Sequence, residues 1–272
     1  MKYVNRVKRL PSLTLQGFTQ PFYHAYLNRQ LLLFLLKRDI NIRTSNTVFG
    51  DAWLLLQPAL QALGFWFLLG MVLKVRFPSG VSFVDYFLVG MLPWLFISEV
   101  LGRTLNVLEE FGSLYRRAVF PIVILPLVPL ILSAGLYAVV FSFISAISLD
   151  LSAALVAPLV IFSVAVWLIP ICYLLAVLGL FLKDIGQFFP FLITFTLYLS
   201  PILYTPELMP EQMRWILMLN PIADMMALIH AVLQDLAWTW GNVARLLGVW
   251  LALLAPAWLL FKRAEPHVRE LL

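Results

Sequence analysis

The chain is predicted to be an all-α integral membrane protein with six transmembrane helices. Three observations predict it. The first is composition: 62% of the 272 residues are hydrophobic and 12% charged, against about half and about a quarter in soluble domains. Mean hydropathy is +0.93. The second is spacing: six apolar stretches approach the ~20 residues that a helix needs to cross a bilayer. The third is charge placement, because Lys and Arg gather in alternate connections. One polytopic domain accounts for such a chain. Its net charge of +5 speaks for basic loops beside a membrane before it speaks for nucleic acid. The single cysteine, Cys172, lies in an apolar run and can form no intramolecular disulfide.

Residues 1–21 read as a basic cytoplasmic tail. MKYVNRVKRLPSLTLQGF has no apolar run after its positive start, so no cleavable signal peptide is expected. Residues 22–46 follow. Their short apolar core, Leu31 to Leu36, is flanked by Arg29, Lys37, Arg38 and Arg43. It is too short to cross and reads as an amphipathic helix lying at the cytoplasmic interface.

Residues 51–262 form the transmembrane domain. Trp53 to Val75 is the first span, with Asp51 expected as its N-cap. Phe83 to Leu101 is the second, interrupted by Asp85 and Glu99. Asp85 lies near the outer interface and is expected to be hydrated. Glu99 precedes Arg103 by four residues, so the two are expected to pair on one helix face. An intramembrane carboxylate is also a functional candidate, and both readings of Glu99 stand. Ala118 to Leu149 and Leu151 to Leu182 carry no charge, and Asp150 marks the turn between them. Ile185 to Tyr204 is the fifth span. Leu246 to Phe261 is the sixth, extended upstream if Arg245 snorkels to the interface. Residues 263–272 are the C-terminus.

Six crossings put both termini on one side. Fifteen of the nineteen Lys and Arg residues fall there, and only Lys74, Arg76, Arg214 and Arg245 fall opposite. Both termini are therefore expected in the cytoplasm, and the chain in the inner (cytoplasmic) membrane.

The stretch SPILYTPELMPEQMRWILMLNPIADMM, Ser200 to Met226, fits no simple span. Four prolines and several charges break it. Irregular backbone at membrane depth survives only inside protein or against a cavity. Residues 205–235 are thus expected to be re-entrant: one or two short helices between Glu207 and Leu233, on the outer side. No inverted repeat is evident, which weakens a secondary-transporter reading.

Chemical motifs are few. No G-x-x-x-x-G-K-[ST] phosphate loop occurs, and no Gly-Lys pair at all. His24, His230 and His267 are scattered without metal spacing. No Ser/His/Asp set can be argued, so the chain is not expected to be an enzyme in itself. In LEEFGSLYRRAVFP, Glu109 and Glu110 precede Arg116 and Arg117, with Phe111, Ser113, Leu114 and Tyr115 between. An acidic start and a basic end suit a short cytoplasmic helix, residues 107–118. An ordinary charged loop is the equal alternative.

Three segments carry a resemblance. Leu36, Arg38–Asp39, Arg43, Gly50, Trp53 and Pro58 form the first. Phe120–Pro121 with Ile124–Leu125–Pro126 forms the second. Lys183–Asp184, Pro190, Ser200–Pro201–Ile202, Tyr204, Pro210 and Asn220–Pro221 form the third. In order and spacing, from Leu36 to Pro221, the chain resembles the ABC-2 type permeases that export cell-surface polysaccharides. It departs from that pattern at Lys183, where Arg is usual. It departs again at Asp224, Ala227 and His230, where capsule-type members often carry His, Glu and Arg.

The resemblance implies half of an ATP-driven exporter. Two copies would form the pore, a homodimer with a central seam. Two separate ATPase subunits would hold ATP and Mg2+, with no cofactor in this chain. Glu109, Glu110, Phe111, Ser113, Leu114, Tyr115, Arg116 and Arg117 would form the coupling helix seated on the ATPase. Arg38, Asp39 and Arg43 would belong to the interface helix. Pro201, Tyr204, Pro210, Asn220 and Pro221 would shape the gate. The aromatics Phe65, Trp66, Tyr86 and Trp94 are candidates, with Glu99, for a channel along which sugar rings slide. Tyr and Trp have flat apolar faces and polar tips. An interfacial belt or packing is the alternative for each of them. The implied cargo is a lipid-linked polysaccharide, capsular first and O-antigen next. A teichoic acid or a small hydrophobic molecule is the alternative. Where an outer membrane exists, a periplasmic envelope-spanning protein would be a further partner. A membrane-embedded enzyme would need convergent polar residues at depth, and Glu99 alone stands out.

Overall fold

A computed structural model describes residues 10–45, 47–72, 82–112 and 121–271. Among them the chain is helix and turn, with no strand. Helix α1 spans Leu10–Leu27, α2 Arg29–Thr44, α3 Trp53–Trp66, α4 Phe83–Thr104, α5 Val107–Glu110 and α6 Leu127–Ser148. Then follow α7 (Leu151–Phe181), α8 (Lys183–Leu199), α9 (Trp215–Leu219), α10 (Pro221–Gln234) and α11 (Trp240–Leu271).

Uncharged sequence sets the centre. Helices α6 and α7 run antiparallel, and the backbone amide of Ala153 donates to the Asp150 carboxylate at 2.6 Å to cap α7. Helix α4 packs on both. Gly179 lets α7 approach the end of α4 closely, because a Cβ there would collide with the Leu105 carbonyl. Two indoles tie α7 to α11: Trp167 donates to the Leu246 carbonyl at 3.1 Å, and Trp250 to the Val166 carbonyl at 3.2 Å. Prolines 58, 93, 158, 170, 190 and 256 sit inside apolar helices. Membrane helices tolerate them because neighbours re-satisfy the freed carbonyls.

Among the described residues five helical stretches are long and apolar enough to cross a membrane: Gly50–Val72, Phe83–Thr104, Ile122–Ser148, Leu151–Phe181 and Trp240–Val268. They overlap five of the expected spans. The remaining one corresponds to α8, which has 17 residues and stops at the irregular Ser200–Tyr204 segment. Helices α9 and α10, with the turn before α9, form a pair bent by 92° at Asn220–Pro221. A sixth crossing is reached on length and composition alone only if that pair is one span.

Packing is uneven. In its most apolar stretch, Ile122–Ser148 has 78% of its residues buried, whereas Gly50–Val72 has 12%. Helix α8 touches the bundle through a thin stripe in which Phe189 and Leu197 are buried. Its Phe188, Phe191, Phe195 and Tyr198 are exposed.

The N-terminal region differs from expectation. Helix begins by Leu10, inside the expected tail, and the break falls at Asn28 rather than residue 22. Leu10–Leu27 contains no Lys, Arg, Asp or Glu, and it lies along α11 with Gly17 and Pro21 buried and most other described side chains exposed. Gly17 lies where a Cβ would meet the Leu254 carbonyl oxygen at 2.8 Å. Phe18 meets Trp250 edge-on at 5.4 Å. At the other end, α11 continues through the expected C-terminal tail to Leu271. Asp51 is no N-cap either. It lies in a 3-10 turn, Gly50–Ala52, and accepts from the Thr44 hydroxyl at 2.7 Å, so it braces α2 against the start of α3.

Candidate functional site

Two polar clusters lie at opposite ends of α4. Thirteen residues separate Tyr86 from Glu99, which at 1.5 Å per residue is roughly 20 Å.

At the Arg103 end the charges cross between helices. The Arg103 guanidinium donates to both carboxylate oxygens of Asp39, at 2.6 and 2.7 Å. Arg43 donates to Glu99 at 2.9 Å, and the Ser133 hydroxyl donates to the same Glu99 oxygen at 3.0 Å. Burial pushes the Asp39 carboxyl up, against the pull of Arg43 and Arg38. The expected Glu99–Arg103 pair is thus replaced by exchanged partners. The reason is geometric. Packing α2 against α4 brings the Asp39 carboxylate within reach of one Arg103 nitrogen, Nη2, which donates to both of its oxygens. Glu99 becomes a bridge joining α2, α4 and α6. Arg38 lies over the Phe111 ring at 5.0 Å.

The expected coupling segment is described only at its start. Glu109 and Glu110 end α5, Phe111 is buried, and Lys183 forms an ion pair with Glu109. Burial raises the Glu110 carboxyl, as does nearby Asp39. Ser113, Leu114, Tyr115, Arg116 and Arg117 lie outside the described residues.

The candidate channel aromatics do not come together. Phe65 packs on Phe87 at 6.1 Å, and both Phe65 and Trp66 are half-buried on α3. Trp94 lines a cavity of about 310 Å³ between α4 and α8, with Ser98, Phe189 and Thr194. Tyr86 belongs to the other cluster.

That cluster is built around Asn220. Its side-chain oxygen accepts from the Ile222 amide at 3.0 Å and caps α10, with Pro221 in the first turn. Its amide nitrogen donates to the Leu199 carbonyl at 3.2 Å and the Ser200 hydroxyl at 2.9 Å. One side chain therefore staples the end of α8 to the start of α10. One turn further on, Asp224 is 3% exposed. It accepts from Arg245 at 2.5 and 2.8 Å and from Asn242 at 2.7 Å, both on α11. The Tyr86 ring stacks on His230 at 3.9 Å with a 6° interplanar angle. Its hydroxyl donates to the Pro201 carbonyl at 2.9 Å and reaches the Tyr204 carbonyl at 3.4 Å. Pro210 stands apart, between the 3-10 turns Pro206–Leu208 and Glu211–Met213.

Beside the Asn220 staple lies a cavity of about 480 Å³, within the ~300–1,000 Å³ range of small-ligand sites; Asn220, Tyr204 and Pro210 are not in its wall. Tyr86, Pro201, Thr205, Glu207, Arg214, Trp238, Asn242 and Arg245 contribute to its wall. So do Asp224, Ala227 and His230, the three positions at which the sequence departs from the capsule-type pattern. Sequence reasoning placed Tyr86 and Pro201 as candidates and missed Asn242, Trp238 and Arg245. A signal existed: Arg245 is a lone cation in an apolar helix, and such a cation needs a carboxylate partner.

A bundle of long apolar helices, knotted by charge at one end and hollowed by a polar cavity at the other, defines a multi-pass membrane protein. A family model described as "ABC-2 type transporter" matches residues 30–233. The chain belongs to that family of membrane transport components. It is 26% identical over 202 residues to the "O-antigen export system permease protein RfbA" of Klebsiella pneumoniae, covering 72% of this chain and 76% of that one. It is 22% identical over 217 residues to a protein of the same name from Myxococcus xanthus, covering 77% and 82%.

Proposed function

We propose that the chain is the membrane-spanning subunit of an ATP-driven exporter that moves a lipid-linked surface polysaccharide across the inner membrane. The observation that carries this is the joint one of family and relatives: the matched region runs from α2 to α10, and both relatives are named as O-antigen export permeases. The names favour an O-antigen-type polymer over a capsular one. ATP hydrolysis falls to a separate subunit, since the sequence has no phosphate-binding loop.

Two further features support the architecture. Gly50–Val72 and α8 are long helices that the chain itself covers poorly. Their apolar faces suit a second copy, which would give the polymer a seam that one packed bundle lacks. With α8 and the Ser200–Tyr204 segment counted as one crossing, six crossings put both termini in the cytoplasm beside most of the Lys and Arg. The Asp39–Arg103 cluster then faces the cytoplasm, and the α9–α10 pair closes over the outer end.

Deleting the chain in its own cell tests this. Surface polysaccharide should disappear while lipid-linked polymer accumulates inside, and the intact chain should restore export. Normal surface polysaccharide in the deletion strain would overturn the function. Loss of a teichoic acid or of resistance to a small hydrophobic compound would assign a different cargo.

A further inference from the structure

We propose that the cavity beneath the α9–α10 pair is a recognition subsite for an uncharged sugar residue of the exported polymer. This rests on the export function proposed above. The walls show what the site can and cannot hold.

Both nearby arginines already donate to groups of the chain. Arg245 is spent on Asp224 through two donors. Arg214 donates to the Met209 carbonyl at 3.3 Å and to the Glu207 carbonyl at 3.5 Å, with Glu211 3.8 Å away. Arg214 keeps its charge at the cavity wall, with only neutral carbonyls accepting from it and Glu211 at 3.8 Å. The Glu207 carboxylate is the converse case: it is exposed, lines the cavity, and has no hydrogen bond or ion pair among the described residues. The Thr205 hydroxyl is 97% buried by residue exposure, lines the same cavity and has no hydrogen-bond partner.

A carboxylate is an acceptor only, and a hydroxyl accepts as well as donates. Such a site suits a ligand rich in O–H donors, and the unpaired Glu207 carboxylate disfavours an anion there. Trp238, 44% exposed, adds a flat apolar surface of the kind that sugar rings stack upon. The volume accommodates one or two pyranose rings and no more. The cavity therefore discriminates by charge at the point where the chain leaves the bundle.

The test uses the full-length chain, co-expressed with its ATPase subunit and held in lipid nanodiscs. Maltotriose and trigalacturonate serve as neutral and acidic probes, with saturation-transfer NMR as the readout. Maltotriose should bind saturably and trigalacturonate about tenfold more weakly, the scale of one charge-assisted hydrogen bond. Trp238→Ala should weaken maltotriose about fivefold. Glu207→Arg, a change in an exposed turn, should reverse the preference, a gain that misfolding cannot mimic. Equal or tighter binding of trigalacturonate by the unaltered chain would overturn the proposal. So would an unchanged preference in Glu207→Arg, or no saturable maltotriose binding. Glycan binding without an export defect in the deletion strain would overturn the function and leave the subsite standing. An export defect without binding would do the reverse.

Discussion

Asp224 and Arg245 join α10 to α11 by two hydrogen bonds, 2.5 and 2.8 Å long, yet they are unequal partners: the Asp224 side chain is 3% exposed and that of Arg245 41%. The carboxylate depends on the pair more than the guanidinium does.

Arg245→Ala should therefore cost more than Asp224→Asn. Losing the arginine strands a buried carboxylate, at about 2–4 kcal/mol. Losing the carboxylate leaves a guanidinium that can turn to water, at about 1 kcal/mol. Thermal unfolding in detergent, followed by size-exclusion recovery, would rank them. Equal losses would argue against the asymmetry.

At the other end of α4, Asp39 and Arg103 should be energetically coupled. A double-mutant cycle with alanine at each position should give about 1–3 kcal/mol. Arg103→Lys should recover part of it, because one donor nitrogen already serves both Asp39 oxygens. A coupling near zero would mean that α2 is held by its apolar contacts alone.

Asn220→Ala removes a helix cap and two tertiary bonds, each worth about 1 kcal/mol. Hydrogen exchange should rise in the first turn of α10 and at the end of α8 together. Asn220→Asp keeps the cap and should protect α10 alone. Exchange confined to α10 in both variants would remove the stapling role.

The Ala153 amide and the Ser152 hydroxyl hold the exposed Asp150 carboxyl below its usual range. A carboxyl depressed in the fold stabilises above its ordinary pKa, and that contribution is lost as pH falls through the folded value. Protection factors at Ala153 and Ala154, corrected for the intrinsic pH dependence of exchange, should thus fall only in acid. Asp150→Asn, which still caps, should flatten the profile. A profile unchanged by that substitution would assign the acid response elsewhere.

Reversing the charges at Arg116 and Arg117 should abolish polysaccharide export while membrane insertion stays normal. Surface staining against membrane-fraction immunoblotting separates the two. Normal surface staining would place ATPase coupling on another segment.

Much of the bundle was legible because its signals are local. Length and apolarity mark α4, α6 and α7, the last two without any charge, and Asn220–Pro221 reads as a cap and a first-turn proline. Partner exchange was not legible. Glu99 and Arg103 are four apart in sequence, and only the approach of α2 supplies Arg43 and Asp39. Asp51 looked like a cap because caps are recognised from neighbours in sequence, whereas its partner Thr44 arrives through a tertiary turn. The cavity draws on α4, α10, α11 and the connections around them, so no window of sequence contains it. Its nearest trace was a lone arginine in an apolar helix.

The Asn220 staple has a mechanical meaning. Ser200, Asn220, Asp224 and Arg245 are linked in series, the middle two a single helical turn apart. A pull on the end of α8 has no slack to absorb it: it arrives at the first turn of α10 and passes through Asp224 to α11. The 92° corner between α9 and α10 sits on that line, as the elbow of a lever whose two arms are different helices.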